Sequence, residues 1–289
     1  MTAAFRIEAT LEAAVARAEA HNAPPRLAAA VRHAVFPGGA RVRPHLCLAV
    51  AEACGDDAPG LADAAAAAIE VLHCASLVHD DLPCFDDAAT RRGLPSVHAA
   101  FGAPLAVLAG DALIVMAFDT LARAGAATPN RLPQLLTTIT RGVGMPGGIV
   151  AGQAWESEPH TLVEPYHRAK TGALFVAATM SGAIASGADP APWRGLGEKL
   201  GAAYQVADDL LDAVSAEADC GKPTGRDAAL QRPSLVAQLG LKGAYAHLEA
   251  LVGAAVAAIP PCDGARGLRD LVQMQATRLA PKQLARSAA

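Results

Sequence analysis

Residues 61–87 read LADAAAAAIEVLHCASLVHDDLPCFDD, an apolar stretch of helical length that ends in a cluster of carboxylates. Alanine has the highest helix propensity of all residues, so the run Ala64–Ala68 favours a helix over a strand. Residues 193–213 read WRGLGEKLGAAYQVADDLLDA and follow the same plan, with Asp208 and Asp212 four residues apart on one helix face. Two apolar helices that end in aspartates predict an all-α protein with a helix-lined cavity.

Clusters of Pro and Gly divide the rest of the chain into further segments of helical length. Many segments are apolar on most faces, so some must lie at the centre of a bundle. No repeat, low-complexity tail or long linker interrupts the chain. We therefore predict one domain, residues 1–289, folded as an all-α single-domain helical bundle around a central active-site cavity. The predicted helices are Leu61–His79, Leu105–Arg123, Glu164–Ser186, Trp193–Ala213, Ser234–Ile259 and Leu268–Leu279.

Composition excludes several classes of protein. The chain has 24 Lys and Arg against 28 Asp and Glu, a net charge of −4, which is not that of a globally basic nucleic-acid binder. Hydrophobic residues make up 52%, too many for a disordered chain. The N-terminus has no secretory signal. The uncharged run Thr171–Ala188 is typical of a buried helix. The six cysteines form no CxxC pair, and we expect them to be small buried hydrophobic residues. We expect a cytoplasmic protein that has no nucleic-acid partner and no stable membrane insertion.

The two carboxylate clusters are the chemically informative part of the sequence. Carboxylates suit Mg²⁺, which keeps waters and is completed by substrate phosphates. Two other readings need no metal: a solvated helix end, or a carboxylate pair for glycoside hydrolysis. Neither explains the basic residues near the clusters, and the alternation of acidic and basic groups favours a diphosphate on an apolar tail. The basic residues are Arg41, Arg43, Arg91, Arg92, Lys170 and Lys222.

Six blocks in the chain resemble, in order, those of the trans-type isoprenyl diphosphate synthases, the polyprenyl synthetase family. They lie between Phe36 and Gly240 and read FPGGARVRP, SLVHDDLPCFDDAATRRG, AGQAWESE, AKTGALF, YQVADDLLDA and CGKPTGRD. The second and fifth are similar to the two aspartate-rich motifs of the family. The resemblance implies the isoprenoid synthase fold, usually as a homodimer, and a prenyltransferase that condenses isopentenyl diphosphate with allylic diphosphates.

The resemblance also implies roles for individual residues. Mg²⁺, about three ions per site with substrate bound, would be held by carboxylates of both motifs, and cationic side chains would bind the allylic diphosphate. Thr171 and Gln205 would stabilise a developing carbocation through their oxygen atoms. The implied metal ligands are Asp80, Asp81, Asp86, Asp208, Asp209 and Asp212, and the implied allylic diphosphate ligands are Arg91, Lys170 and Lys222.

A second diphosphate, that of isopentenyl diphosphate, would be bound by side chains without a metal. Arg43, His73 and Arg92 match the family positions for this task, and Gln153 is also assigned to substrate binding. His73 has a plainer reading as a buried core histidine, but it lies seven residues before Asp80, two helical turns away.

The chain departs from the family pattern at Ala40, where a lysine usually follows the two glycines. Ala40 indicates either a regulatory partner subunit or a subfamily variant. FPGGARVRP with AGQAWESE resembles the geranylgeranyl diphosphate synthases of carotenoid and chlorophyll pathways in phototrophic bacteria, and both aspartate motifs are intact, which favours an active enzyme. Glu156 stands where an aspartate is more usual.

Small side chains below the first aspartates predict the product length. Ala75 and Ser76 are small, and Val71 and Leu72 on the next turn would form the floor of the product cavity. Opening one turn, ~5.4 Å, adds about one isoprene unit and predicts a product of twenty carbons. The alternatives are a farnesyl diphosphate synthase, a catalytically poor partner subunit of another prenyltransferase and, last, a class I terpene cyclase.

Overall fold

The computed structural model describes residues 1–36, 38–159, 162–214 and 234–279. These residues belong to two compact units. The first unit comprises Met1–Ile139 with Ser181–Ala188, and the second comprises Thr140–Met180 with the chain from Asp189 onward. The division into one domain, 1–289, stays a prediction.

Most of the described residues are helical and very few lie in strands, which confirms the predicted all-α fold. The helices are α1 (Ala3–Ala18), α2 (Pro25–Val35), α3 (Val42–Ala53), α4 (Pro59–Asp80), α5 (Val97–Phe101), α6 (Ala103–Gly125), α7 (Leu132–Val143), α8 (Ile149–Ala154), α9 (Val163–His167), α10 (Ala173–Ala185), α11 (Arg194–Val214), α12 (Leu235–Ala257) and α13 (Ala265–Leu279). Short 3₁₀ segments cover Trp155–Ser157 and Ala191–Trp193, and a π-helical segment covers Arg168–Gly172. Two short antiparallel strands, β1 (Thr90–Arg91) and β2 (Leu94–Pro95), form a hairpin.

Helix α4 is the centre of the first unit. Every residue of Ala64–Ala68 is at most 2% exposed, and the helix packs against α1, α2, α3 and α6. Alanine allows this packing because its side chain is small, so neighbouring helices can approach α4 closely on several faces. On α6, Leu113, Ala117 and Leu121 are fully buried in the expected i, i+4 stripe. Packing within the first unit therefore fixes the position of the C-terminal end of α4 and of the carboxylates that it carries.

Helix α11 has the corresponding place in the second unit. Val206, Ala207 and Leu210 on α11 form a core cluster with Ala244 and Leu248 of α12. Gly201 of α11 lies so close to the π-helical segment that a Cβ there would be 2.5 Å from the Cα of Gly172. This contact fixes α11, with its aspartates, against the segment that carries Lys170.

Helices α4 and α6 are both long and apolar enough to cross a membrane by length and composition. In their most apolar windows, 78% of the α4 residues and 44% of the α6 residues are buried inside the protein. The expectation of buried cysteines is right for Cys47 and Cys74 and wrong for Cys84, which is exposed because it lies in the loop after α4.

Candidate active site

The end of α4 and the loop that follows it bring two carboxylates of the first aspartate-rich motif together. Asp80 is the last residue of α4 and is buried. The loop folds back on the helix end, so that the backbone N–H of Asp86 donates to the carbonyl oxygen of Asp80 at 2.8 Å. Asp80 and Asp86 therefore start from adjoining backbone positions, an arrangement that suits two ligands of one metal ion.

Asp81 follows the helix and is bound to Arg91 of β1. The Nε of Arg91 donates to Oδ1 of Asp81 at 3.0 Å and to Oδ2 at 3.2 Å, and its Nη2 also donates to Oδ1. Burial raises the pKa of Asp81 above its ordinary value, although the bonds from Arg91 oppose this shift. Both oxygens of Asp81 accept hydrogen bonds from Arg91, so a metal bound to Asp81 would share these oxygens with the guanidinium group.

Four arginines act on His73, which lies two turns before Asp80 on α4. Burial, followed by the charges of Arg43, Arg92, Arg91 and Arg41, lowers the pKa of His73 well below its ordinary value. His73 is therefore a neutral imidazole at pH 7. A group of arginines around a neutral imidazole attracts an anion without the help of a metal.

The contacts of Arg41 and Arg92 show how this cationic group is held. Arg41 is 5% exposed and donates to Glu8 at 2.9 Å, to Glu70 at 2.8 Å and to the carbonyl oxygen of Val35 at 2.9 Å. It thereby ties α1 and α2 to α4, and its part is structural. Arg92 donates through Nη1 to the carbonyl oxygen of Gly38.

Arg43 and Ala40 lie beside the same turn. Arg43 belongs to the first turn of α3, because the helix begins at Val42. Ala40 is exposed and adds no charge. Apart from Arg41, the arginines that act on His73 are Arg43 of α3 and Arg91 and Arg92 of the hairpin. The cationic group therefore does not depend on a lysine at position 40.

The residues assigned to the product cavity lie on α4 below the aspartates. Leu72 and Ala75 are buried, and Ser76 is half-buried. The hydroxyl of Ser76 donates to the carbonyl oxygen of His73 at 2.8 Å within the helix. This satisfies the polar atom of Ser76 locally, as a wall for a hydrocarbon requires.

A chain of hydrogen bonds links the assigned residues of the second unit. The hydroxyl of Thr171 donates to Oε1 of Gln205 at 2.6 Å, and Nε2 of Gln205 donates to Oδ1 of Asp209 at 2.9 Å. The backbone N–H of Leu235 donates to Oδ2 of Asp209 at 2.7 Å. Thr171 and Gln205 are thus brought together, as the resemblance implies, and Asp209 is the buried anchor that orients them.

The three aspartates of α11 differ in their surroundings. Asp209 is 4% exposed, and burial raises its pKa although the bonds from Leu235 and Gln205 oppose the shift. Asp208 is exposed and Asp212 is half-buried. Asp208 and Asp212 are the more exposed of the three, so a hydrated metal ion can reach them more easily than Asp209.

Lys170 lies in the π-helical segment and contacts Glu156, a residue for which the sequence predicts no role. Its ammonium donates to Oε1 of Glu156, which also accepts the hydroxyl of Tyr166 at 2.5 Å. Glu156 was noticed only as a replacement for aspartate, and Tyr166 carried no signal at all, because one tyrosine before a lysine fits any helix. Gln153 is buried on α8. Lys222 lies outside the described residues.

The donor set of both units fits Mg²⁺. In the part of the chain that the structure describes, no three His, Cys, Asp or Glu side chains form a ready-made metal site. A pair of carboxylates, Asp80 with Asp86 or Asp208 with Asp212, leaves coordination positions for water and phosphate oxygens. That is the usual way in which proteins bind Mg²⁺, as opposed to an all-protein cage.

The chain is similar to known proteins over most of its length. The family model described as "Polyprenyl synthetase" matches residues 24–258, which include parts of both units. The chain is 54% identical over 280 residues to the geranylgeranyl diphosphate synthase of Cereibacter sphaeroides, covering 97% of each chain. It is 50% identical over 274 residues to that of Rhodobacter capsulatus, covering 95% of each.

A solved structure shares the fold. The geranyltransferase of Helicobacter pylori, crystallised with magnesium and isoprenyl diphosphate, is 31% identical with a TM-score of 0.76. The match covers 96% of this chain and 95% of that one.

Proposed function

Because the chain belongs to the polyprenyl synthetase family, we propose that it catalyses the Mg²⁺-dependent condensation of isopentenyl diphosphate with allylic diphosphates, up to farnesyl diphosphate. The product is geranylgeranyl diphosphate. Terpenoid or carotenoid-type pigment synthesis would consume it. The high identity to two bacterial geranylgeranyl diphosphate synthases supports this product over farnesyl diphosphate.

One observation carries the proposal: α4 joins a carboxylate pair to an arginine group. Asp80 and Asp86 lie at its end, and His73 with its arginines lies two turns earlier, ~10 Å along the axis. The carboxylates suit a diphosphate that is bound through a metal, and the arginines suit one that is bound without it. Two substrates that both carry a diphosphate need both kinds of site.

The allylic diphosphate is bound through metals and cations. Carboxylates of both motifs would hold Mg²⁺, about three ions per site, and the bound metal would supply positive charge that neutralises the leaving diphosphate. Arg91, Lys170 and Lys222 bind diphosphate oxygens directly, and the fork of Arg91 suits two of them at once. Asp81 and Asp209 act by orienting Arg91 and Gln205. The metal-binding carboxylates are Asp80 and Asp86 of the first unit and Asp208 and Asp212 of the second.

The reaction proceeds in three steps. The bond between the allylic carbon and the diphosphate oxygen breaks, and the diphosphate leaves with the electron pair. The oxygens of Thr171 and Gln205 stabilise the cation that remains. The double bond of isopentenyl diphosphate, held by Arg43, His73 and Arg92, then attacks the cation. Loss of a proton, which the released diphosphate accepts, completes the product.

The oligomeric state and the location follow as further parts of the proposal. Helix α6 exposes Val107, Leu108 and Val115, the last at 69%, and an apolar helix face of this kind suits a second copy of the chain. A light-scattering mass near 29.3 kDa would contradict a homodimer. Cys47, Cys74, Cys84 and Cys262 are unpaired thiols, as a cytoplasmic protein requires.

Product analysis tests the proposal. Purified protein is incubated with Mg²⁺, labelled isopentenyl diphosphate and one allylic diphosphate at a time, and the products are separated by chromatography. We expect labelled C20 from farnesyl diphosphate. C15 from geranyl diphosphate with nothing longer would identify a farnesyl diphosphate synthase. No turnover without another chain would identify a partner subunit.

A further inference from the structure

Three side chains of the second unit meet at one oxygen atom. Oε1 of Glu156 accepts the ammonium of Lys170 and the hydroxyl of Tyr166, the latter at 2.5 Å. The Nζ of Lys170 also lies 5.9 Å from the centre of the Tyr166 ring, within range of a cation–π contact. We infer that Glu156 and Tyr166 are positioning residues that fix Lys170 for the allylic diphosphate, an inference that rests on the proposed function of Lys170.

The backbone brings these three residues together from separate segments. Glu156 lies in the 3₁₀ segment after α8, Tyr166 lies in α9, and Lys170 lies in the π-helical segment. Gly152 of α8 touches the last of these, since a Cβ at position 152 would be 2.3 Å from the Cα of Lys170. The backbone of Lys170 is thereby fixed relative to the stretch that carries Glu156.

Burial distinguishes this cluster from an ordinary surface ion pair. Tyr166 is 5% exposed, and the side chains of Glu156 and Lys170 are 9% and 21% exposed. Removing a carboxylate from water is costly unless hydrogen bonds compensate it, and here a cation and a phenol both do so. An exposed pair of the same composition would contribute little and position nothing.

The cluster solves a problem that is specific to lysine. Its four-carbon stem is flexible, and ordering it costs rotamer entropy. Glu156 orders the stem before substrate arrives, through one of the three donors of the ammonium. The Tyr166 hydroxyl holds the Glu156 oxygen in place. The length of the Glu156 side chain matters as well as its charge, because Oε1 must reach the donors of both Lys170 and Tyr166. An aspartate is one methylene shorter, so its carboxylate would not reach both.

Steady-state kinetics of single variants test the inference. In Glu156→Gln and Glu156→Asp, we expect kcat/KM for the allylic diphosphate to fall ~10-fold, because a displaced cationic group binds its ligand poorly. Tyr166→Phe should cause a smaller fall of ~3-fold. KM for isopentenyl diphosphate should stay within about twofold in all three, since Lys170 is assigned to the other diphosphate. Glu198→Gln and Tyr204→Phe make the same chemical changes elsewhere in the second unit and serve as matched controls.

A double-mutant cycle with Lys170→Ala separates positioning from a structural role. If Glu156 acts through Lys170, Glu156→Gln causes less than about a twofold further change in the Lys170→Ala background. An equal effect in both backgrounds, or equal losses for both substrates together with a lower melting temperature, would overturn the inference. If Lys170→Ala itself leaves kcat/KM for the allylic diphosphate unchanged, the proposed role of Lys170 is wrong and the inference falls with it. If Lys170→Ala lowers kcat/KM for the allylic diphosphate but the Glu156 variants do not, the positioning role of Glu156 is wrong and the proposed role of Lys170 stands.

Discussion

Single residues within each aspartate motif have different surroundings, and this difference divides their roles. In the sequence the carboxylates of each motif are equivalent, and all six were assigned to metal. In the structure, Asp81 and Asp209 are buried with both oxygens bound, to Arg91 and to Gln205 with Leu235. Burial depends on tertiary packing, so no pattern of aspartates could have revealed which of them orient other groups.

Asparagine variants at adjoining positions test this division. Asp80→Asn should lower activity at least ~100-fold and raise the Mg²⁺ concentration for half-maximal activity, because it removes a metal ligand. Asp81→Asn should raise KM for the allylic diphosphate ~10-fold through loss of the charged partner of Arg91, with the Mg²⁺ requirement unchanged. Activity is measured over a Mg²⁺ titration. An equal increase in the Mg²⁺ requirement for both variants would show that Asp81 is a metal ligand.

The lowered pKa of His73 predicts a pH-dependent stability. In the unfolded chain a histidine titrates near pH 6.5, whereas the folded state takes up this proton only well below that value. Between the two values the unfolded state binds more protons, so stability falls as pH falls below about 6.5. His73→Asn should reduce the loss of unfolding free energy between pH 7.5 and pH 5.5, as measured by denaturant titration, while the matched change of exposed His21 should not. If His73→Asn loses as much unfolding free energy between these pH values as the unchanged protein does, His73 is not the source of the pH dependence.

The long helices could be predicted from the sequence more accurately than the short elements. The bounds predicted for α4, α6 and α11 differ from those of the structure by one or two residues, because apolar periodicity and flanking Pro and Gly mark these long helices. Helices α1–α3, α5, α7 and α8 and the hairpin were not predicted. The hairpin has only two residues in each strand, too few for a periodic signal.

The π-helical segment was also not predicted, although it carries Lys170 and Thr171. A π-helix depends on how neighbouring helices pack, and such segments are frequent at functional sites. The contact of Gly152 with Lys170 is part of this packing and has no signature in the sequence beyond one glycine.

A methyl group at Gly152 tests the importance of that contact. Gly152→Ala should lower the unfolding free energy by about 1–3 kcal/mol, because the added Cβ would overlap the backbone of Lys170. It should also lower kcat/KM for the allylic diphosphate. Gly253→Ala is the control, since no atom outside the neighbouring backbone of its own helix lies within 4 Å of its Cβ position. Thermal unfolding and kinetics are measured for both, and a Gly152→Ala protein as stable and active as Gly253→Ala would contradict the contact.

We propose that helix α4 sets the length of the product. Ala75 is buried one turn below the aspartates, so Ala75→Tyr should block the cavity and shorten the product from twenty toward fifteen carbons. Labelled products are separated by chromatography, and Ala9→Tyr, on an exposed face of α1, is the control for expression and folding. A folded Ala75→Tyr protein that still gives C20 would place the floor of the cavity elsewhere.

The whole molecule combines an acidic net charge with local cationic groups. The net charge of −4 excludes a globally basic protein, yet each unit pairs a cationic side chain with a carboxylate, Arg91 with Asp81 in the first and Lys170 with Glu156 in the second. A metal-bound diphosphate with a hydrocarbon tail matches this combination, since it needs carboxylates, cations and an apolar wall. The chemical claim is that the carbon–oxygen bond ionises before the new carbon–carbon bond forms.

The most direct measurement of this claim compares farnesyl diphosphate with its analogue that carries fluorine at C2, both at saturating Mg²⁺ and isopentenyl diphosphate. Fluorine destabilises an allylic cation and changes the shape of the molecule little. Ionisation first predicts that single-turnover formation of the C20 product slows ~100-fold or more, about 2.7 kcal/mol of activation free energy. Competition experiments establish that the analogue still binds. Equal rates for the bound substrate and analogue would contradict the account.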